Sequence, residues 1–180
     1  MLKNILLLFI FLIFTGCSTP KKLIVADYLD ATPVVTGSVV NASAFAKGGS
    51  LVLGSFKPGV GAEANDDTDE LSWMIVKGIK DTLPEDNTNF KISPLDQGDS
   101  DFTLEGYIDD FGRDSHFTHV KLRDTQIHLA IDGEIWLRET GEKVFLFQTS
   151  TVIDLKLQNP KTVAYEMGVA IAHFIGSHSN

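Results

Sequence analysis

Two histidines, His116 and His119, have the spacing in this chain that comes nearest to that of a metal site. A His-x-x-His pair binds a metal ion when a helix aligns both rings, or when further ligands converge on them. The pair lies in a polar stretch, residues 112–124, that predicts a loop, and no third ligand follows at helical spacing. The sequence therefore predicts a solvated loop here and no metal.

The carboxylates and serines do not form a recognisable catalytic set. Glu105 and Asp109 lie four residues apart on one predicted strand, too far at about 3.3 Å per residue for paired acid–base work. The acidic residues Asp66, Asp67, Asp69 and Glu70 do not follow the order of a calcium loop, and they stand where a helix N-terminus favours negative charge. No serine occupies a Gly-x-Ser-x-Gly motif, and the glycine-rich segments are too short to cradle a phosphate. The sequence predicts no enzyme and no cofactor.

The first residues have the pattern of a secretory leader. Lys3 supplies a positive charge, and residues 5–14 form an unbroken apolar run. Because a membrane-spanning helix needs about 20 apolar residues, this run fits the apolar segment of a secretory signal peptide instead. Residues 1–16 are therefore predicted to be a signal peptide.

The end of the leader, Phe14-Thr15-Gly16-Cys17, resembles a bacterial lipobox, with Phe14 where the consensus usually has leucine. The resemblance implies that Cys17 becomes the first residue of the mature protein and carries acyl chains such as palmitate. Three acyl chains would anchor the protein stably, because two membrane signals already suffice. Ser18, by resemblance to the sorting rule of diderm bacteria, implies a periplasm-facing anchor in the outer membrane. The alternative is an ordinary signal peptide with an incidental cysteine.

Charge and cysteine content exclude several classes of function. The chain has 180 residues and a net charge of −9 at pH 7, which disfavours nucleic acid because its phosphates would be repelled. Cys17 is the only cysteine, so its lipidation would leave no thiol for a disulfide or a thiolate metal site. The oligomeric state stays open.

Hydrophobic periodicity predicts the elements of one domain. Residues 17–49 are predicted to hold the lipidated cysteine, a tether and a loosely structured arm with an edge strand at 34–40, and residues 50–180 are predicted to be a single globular domain. Asp67 and Glu70 predict a capping box at the start of the first helix, and Asn159-Pro160 predicts the start of the last. The further predicted strands are 50–56, 90–93, 102–109, 127–137 and 144–155.

These elements predict an α/β (α+β) two-layer sandwich. Two amphipathic helices would cover one face of a mixed, mostly antiparallel sheet. Phe145 and Phe147 alternate on the last long strand, and Trp136 lies on its neighbour. They predict either core packing or an apolar patch that takes a partner or a lipid chain.

The segment Asp101–Phe111, reading DFTLEGYIDDF, and the turn Thr140-Gly141-Glu142 resemble a periplasmic lipoprotein group around CsgG, LpoB and the N-terminal domain of TolB. The resemblance covers residues 51–175. It implies a non-catalytic envelope protein that binds partner proteins.

We therefore expect a lipid-anchored periplasmic accessory or scaffold protein that binds an envelope protein partner. The candidate partner surface comprises the polar loop and the long hairpin, with His116, Phe117, His119, Trp136, Phe145 and Phe147. The alternatives are a small-ligand or lipid-binding lipoprotein, with a pocket between sheet and helices, and an envelope hydrolase.

Overall fold

The computed structural model describes residues 33–86, 88–94, 99–112 and 122–179. Within these ranges the chain folds into a six-stranded sheet with the strand order β1-β6-β5-β4-β2-β3. β2 pairs in parallel with β3 and β4, and the other neighbours are antiparallel. The strands are β1 (Val34–Val39), β2 (Gly49–Gly61), β3 (Phe90–Ser93), β4 (Phe102–Gly112), β5 (Gln126–Leu137) and β6 (Glu142–Asp154).

In the same ranges three α-helices accompany the sheet, α1 (Ala42–Lys47), α2 (Asp66–Thr82) and α3 (Pro160–His178), and α2 continues into a 3-10 turn (Leu83–Glu85). The two long helices pack against each other and cover one face of the sheet, so the predicted two-layer α/β sandwich is confirmed. Their close approach requires glycine. A Cβ atom on Gly168 would lie 2.2 Å from the carbonyl oxygen of Ile75, and one on Gly78 would lie 2.3 Å from that of Tyr165.

The helix caps follow the local sequence. The side chain of Asn65 accepts a hydrogen bond from the backbone N–H of Thr68, whose hydroxyl accepts one from the N–H of Asn65. This capping box starts α2, so the predicted box of Asp67 and Glu70 is wrong by two residues. Asparagine and aspartate cap helices about equally well, and at Asn65 the reciprocal bond with the Thr68 hydroxyl lets the helix start two residues earlier. The predicted cap of α3 at Asn159 is confirmed.

The described part of the predicted arm packs on the domain. The predicted edge strand at 34–40 is confirmed as β1, which pairs with β6. The short helix α1 was not predicted, and it places Phe45 in the core, where its ring stacks on Phe145 at 4.6 Å between centroids. One residue of the arm therefore contributes to the stability of the whole fold.

Buried side chains fill the space between the sheet and the long helices. They include Ile75 and Ile79 of α2, Leu104 of β4 and Met167 and Ile171 of α3, all with exposures of zero. These side chains fill the centre of the core, and a groove of about 550 Å³ lies at its edge, between α2 and the strands β2 and β3, where Leu53, Val76 and Ile92 line it. No helix in the described part of the chain combines the length and apolar character that crossing a bilayer requires.

Candidate binding surface

The second face of the sheet carries the candidate site. The long helices α2 and α3 both pack on the opposite face, and on this open face the strands carry mostly polar side chains. Alternation explains the difference, because successive residues of a strand point to opposite faces. On β5, Ile131 and Ile135 point into the core, whereas Asp132 and Glu134 point outward.

A groove of about 740 Å³ crosses this open face over four neighbouring strands. It begins at the edge strand β1 and ends at Tyr107 of β4. Its polar lining includes a hydroxyl on either side of Gly37 and an amide on β6, with carboxylates of β5 beyond them. These residues are Thr36, Ser38, Gln148, Asp132 and Glu134.

A β-bulge gathers carboxylates beside this groove. Ile108 pairs with Ile131, but the next paired residue of β4 is Asp110, opposite Ala130, so Asp109 is an extra residue. A bulge breaks the alternation of a strand and re-aims its side chains. Asp110 thereby moves to the open face, the face on which Asp109 already lay by alternation.

This crowding disfavours ionisation of the Asp109 carboxyl. Its pKa is raised to about 6, first by burial and then by a hydrogen bond with Asp132 and the charges of Asp132 and Asp110. Burial and neighbouring negative charge both disfavour the charged form of a carboxyl. A cation placed beside Asp109 and Asp132 would therefore be attracted to them.

Asp110 and His128 form a buried pair at the far end of the same face. The Nδ1 atom of His128 lies 2.9 Å from a carboxylate oxygen of Asp110, and the side chains are 4% and 1% exposed. A buried carboxylate needs such a partner, because transferring it from water without one is costly. Alternation along β5 is enough to place His128 on this polar face, but nothing in the sequence indicates its partner.

Lys143 of β6 also lines the groove and brings a positive charge to it. Lys143 lies 2.7 Å from a carboxylate oxygen of Glu134, and its Nζ atom is 4.7 Å from the ring centroid of Trp136. The indole N–H of Trp136 is buried and makes no hydrogen bond within the described residues. Lys57 and Glu105 form a longer exposed pair at 3.9 Å. Even with these lysines, carboxylates outnumber cations on the described part of the open face.

The predicted apolar patch is wrong for two of its three aromatic residues. Phe145 and Phe147 are 0% and 3% exposed and pack in the core, so their rings form no exposed apolar patch, although Phe147 is among the residues that line the groove. Trp136 lies on the opposite face, because it follows Ile135, which faces the core and pairs with Phe145. The core-packing alternative holds for both phenylalanines.

The other predicted site residues lie outside the described ranges: His116, Phe117, His119 and Cys17. Within the described ranges, no three histidine, cysteine, aspartate or glutamate side chains are grouped as metal ligands. The site residues that sequence reasoning missed are Asp110 and Asp132. Alternation does place Asp132 on the polar face of the hairpin, but nothing in the sequence marks it as a site residue, and no signal indicates the bulge that turns Asp110.

Solved structures with a similar fold allow a comparison. No protein-family profile and no curated protein matches the sequence. Two structures of the PelC dodecamer from Paraburkholderia phytofirmans, the second of them a point variant, align with TM-scores of 0.52 and 0.54 at 12% identity. The alignments cover 79% of this chain and 96% and 97% of those chains.

A candidate lipoprotein from Caulobacter crescentus aligns over 76% of this chain and 92% of its own, at 12% identity and a TM-score of 0.39. That score is too low to support an argument. At these identities the PelC likeness shows the fold alone. The resemblance to the CsgG, LpoB and TolB group stays a prediction.

Proposed function

We propose that this chain is a lipid-anchored accessory protein of the periplasm, and that its open sheet face binds a partner protein of an envelope assembly, export or cell-wall machine. The leader and Cys17 support the anchor. The PelC-like fold is compatible with it. The role is binding, and we infer no catalysis.

The groove on the open face is the observation that carries the proposal. Its residues come from four strands of one sheet, so the backbone hydrogen bonds of the sheet fix their relative positions. A site on paired strands is more rigid than one on loops, and rigid sites lose less entropy when they bind. An anchor at Cys17 would add effective concentration, because it confines the domain to a thin layer at the membrane.

The anchor is tested by mass spectrometry of the N-terminal peptide and by fractionation. We expect acyl chains on Cys17 and recovery with outer-membrane vesicles, and release of a Cys17→Ser variant from the membrane. A mature protein that starts elsewhere, or an unacylated Cys17, would exclude this part of the proposal.

The partner surface is tested by photo-crosslinking in cells. A photoreactive amino acid replaces Gln148, which is exposed on the open face, or Lys80, which is exposed on α2. We expect one envelope protein to crosslink through position 148 and not through 80, and the purified pair to bind. Equal capture at both positions would argue against the open face.

The solved PelC structures are dodecamers, so our proposal includes that several copies of this chain assemble. Sedimentation velocity of the full chain in detergent tests it, and a concentration-independent monomer would reject it.

The absence of catalysis is tested separately, since turnover of cell-wall or ester substrates would contradict it.

A further inference from the structure

The two edges of the sheet differ in their protection. β3 forms one edge, is only four residues long and contains Lys91. Short edge strands and lysine side chains are devices that natural proteins use to prevent unwanted strand pairing. β1 forms the other edge over six residues, and none of them is charged or proline. In the described part of the chain, no strand pairs with the outer edge of β1.

The side chains of β1 show how a strand could be added. Val35 and Val39 pack against the core, and Thr36 and Ser38 lie on the open face as the first residues of the groove. Val34 is 71% exposed. An extended segment beside β1 would gain main-chain hydrogen bonds along the edge, and its alternate side chains would lie over the groove.

The negative charge of the groove indicates which kind of extended segment would bind beside β1. Asp132 and Glu134 lie on β5, three strand spacings and thus about 14 Å from the backbone of a strand added outside β1, and Glu134 already has Lys143 as a partner. Long cationic side chains on the added strand would point toward them past Gln148 of β6. The pKa of Asp109 is raised first by burial and then by the hydrogen bond and charge of Asp132 and the charge of Asp110, and a nearby cation would offset the effect of those charges.

We propose that the outer edge of β1 pairs with an extended, arginine- or lysine-bearing segment of a partner protein, whose cationic side chains enter the groove. This inference rests on the proposed function, since it names the surface and the chemistry of the partner. A second copy of the chain is a weaker candidate for this edge, because β1 is uncharged and β3 offers a single lysine to an acidic groove.

The test uses the full-length chain in detergent and fluorescent nine-residue peptides. The parent peptide alternates threonine and arginine, and its two relatives carry glutamate in place of arginine or N-methyl groups on alternate amides. N-methylation blocks strand pairing and keeps the charge. We expect the glutamate and N-methyl peptides to bind at least about tenfold more weakly than the parent in fluorescence anisotropy, roughly 1.4 kcal/mol.

Protein variants test the charges with a matched control. Asp132→Asn with Glu134→Gln should weaken the parent peptide at least about tenfold. Asp69→Asn with Glu166→Gln removes the same charge from exposed helix positions and should leave binding within about twofold. Thermal unfolding checks that both double variants fold, and the N-methyl comparison needs no variant at all.

Four results would overturn the inference. The first two are equal binding of the N-methyl and parent peptides, and equal binding of the parent peptide by the two double variants. The third is full protection of the β1 amides from deuterium exchange in a monomer without peptide, because the edge would then already be paired. The fourth is a dimer that the Thr36→Lys substitution dissociates, because a second copy of the chain would then occupy the edge. If crosslinking through position 148 still captures a partner, the proposed function survives this failure. If the crosslinking fails as well, both are rejected.

Discussion

Replacing Asp109 by asparagine should stabilise the protein at neutral pH. The pKa of this carboxyl is raised to about 6 from its ordinary value of 3.8, by burial first and by Asp132 second. Ionising Asp109 is therefore harder in the folded chain than in the unfolded chain. Its contribution to stability is fully present below about pH 4 and is lost as the pH rises through about 6.

The size of the effect follows from the same values. The full difference in pKa corresponds to about 3 kcal/mol at neutral pH, since one pKa unit is about 1.4 kcal/mol. Asp109 is only partly buried, and solvent screens such interactions strongly. We therefore expect Asp109→Asn to raise the free energy of unfolding by about 1 kcal/mol at pH 7.5 and by close to nothing at pH 4.

Urea denaturation across pH 4 to 8 measures this difference. Asp132→Asn should give part of the same gain, because it removes the charge that Asp109 faces, and the double variant should gain less than the sum. Asp69→Asn, at an exposed helix position, is the control and should show no such pH dependence. A gain at pH 4 as large as at pH 7.5, or a loss at both, would refute the assignment of the strained carboxyl to Asp109.

Three further substitutions test the packing and the caps by denaturation. Phe145→Ala should cost about 3–5 kcal/mol, because it removes a fully buried ring that stacks on Phe45; a cost below about 1 kcal/mol would contradict its place in the core. Gly168→Ala should cost about 1–3 kcal/mol by forcing α3 away from Ile75, and an unchanged unfolding midpoint would contradict the helix contact. Asn65→Ala should cost about 1 kcal/mol, and Asn65→Asp, which keeps a capping oxygen, should recover most of it.

The fold could be predicted where local patterns and tertiary structure agree. The alternation from Phe102 to Ile108 predicted a half-buried strand. The even-numbered residues of this segment are buried in β4, as the pattern predicted. Asn159 and Pro160 predicted the start of α3 through cap chemistry that depends on two residues only. Such signals are local, so the sequence contains them in full.

The candidate site could be predicted only in part, because bulges, register and burial are properties of paired strands. The bulge at Asp109 depends on how β4 aligns with β5, and nothing in the composition of β4 indicates it. The helix α1 was missed because six residues are too few for a helical period to stand out. Phe145 and Trp136 were assigned to one patch because the strand register, which sets Ile135 opposite Phe145, cannot be read from either strand alone.

The open face holds interactions that lower stability, and this pattern is typical of binding surfaces. The indole N–H of Trp136 is buried without a partner within the described residues, and Asp109 carries a carboxyl whose charge the fold disfavours. Local rules are broken most often where function requires it. A cationic partner would relieve the second cost, because it favours the ionised form of Asp109. Partner binding through this face should therefore strengthen as the pH rises through about 6, the range in which the isolated chain loses stability.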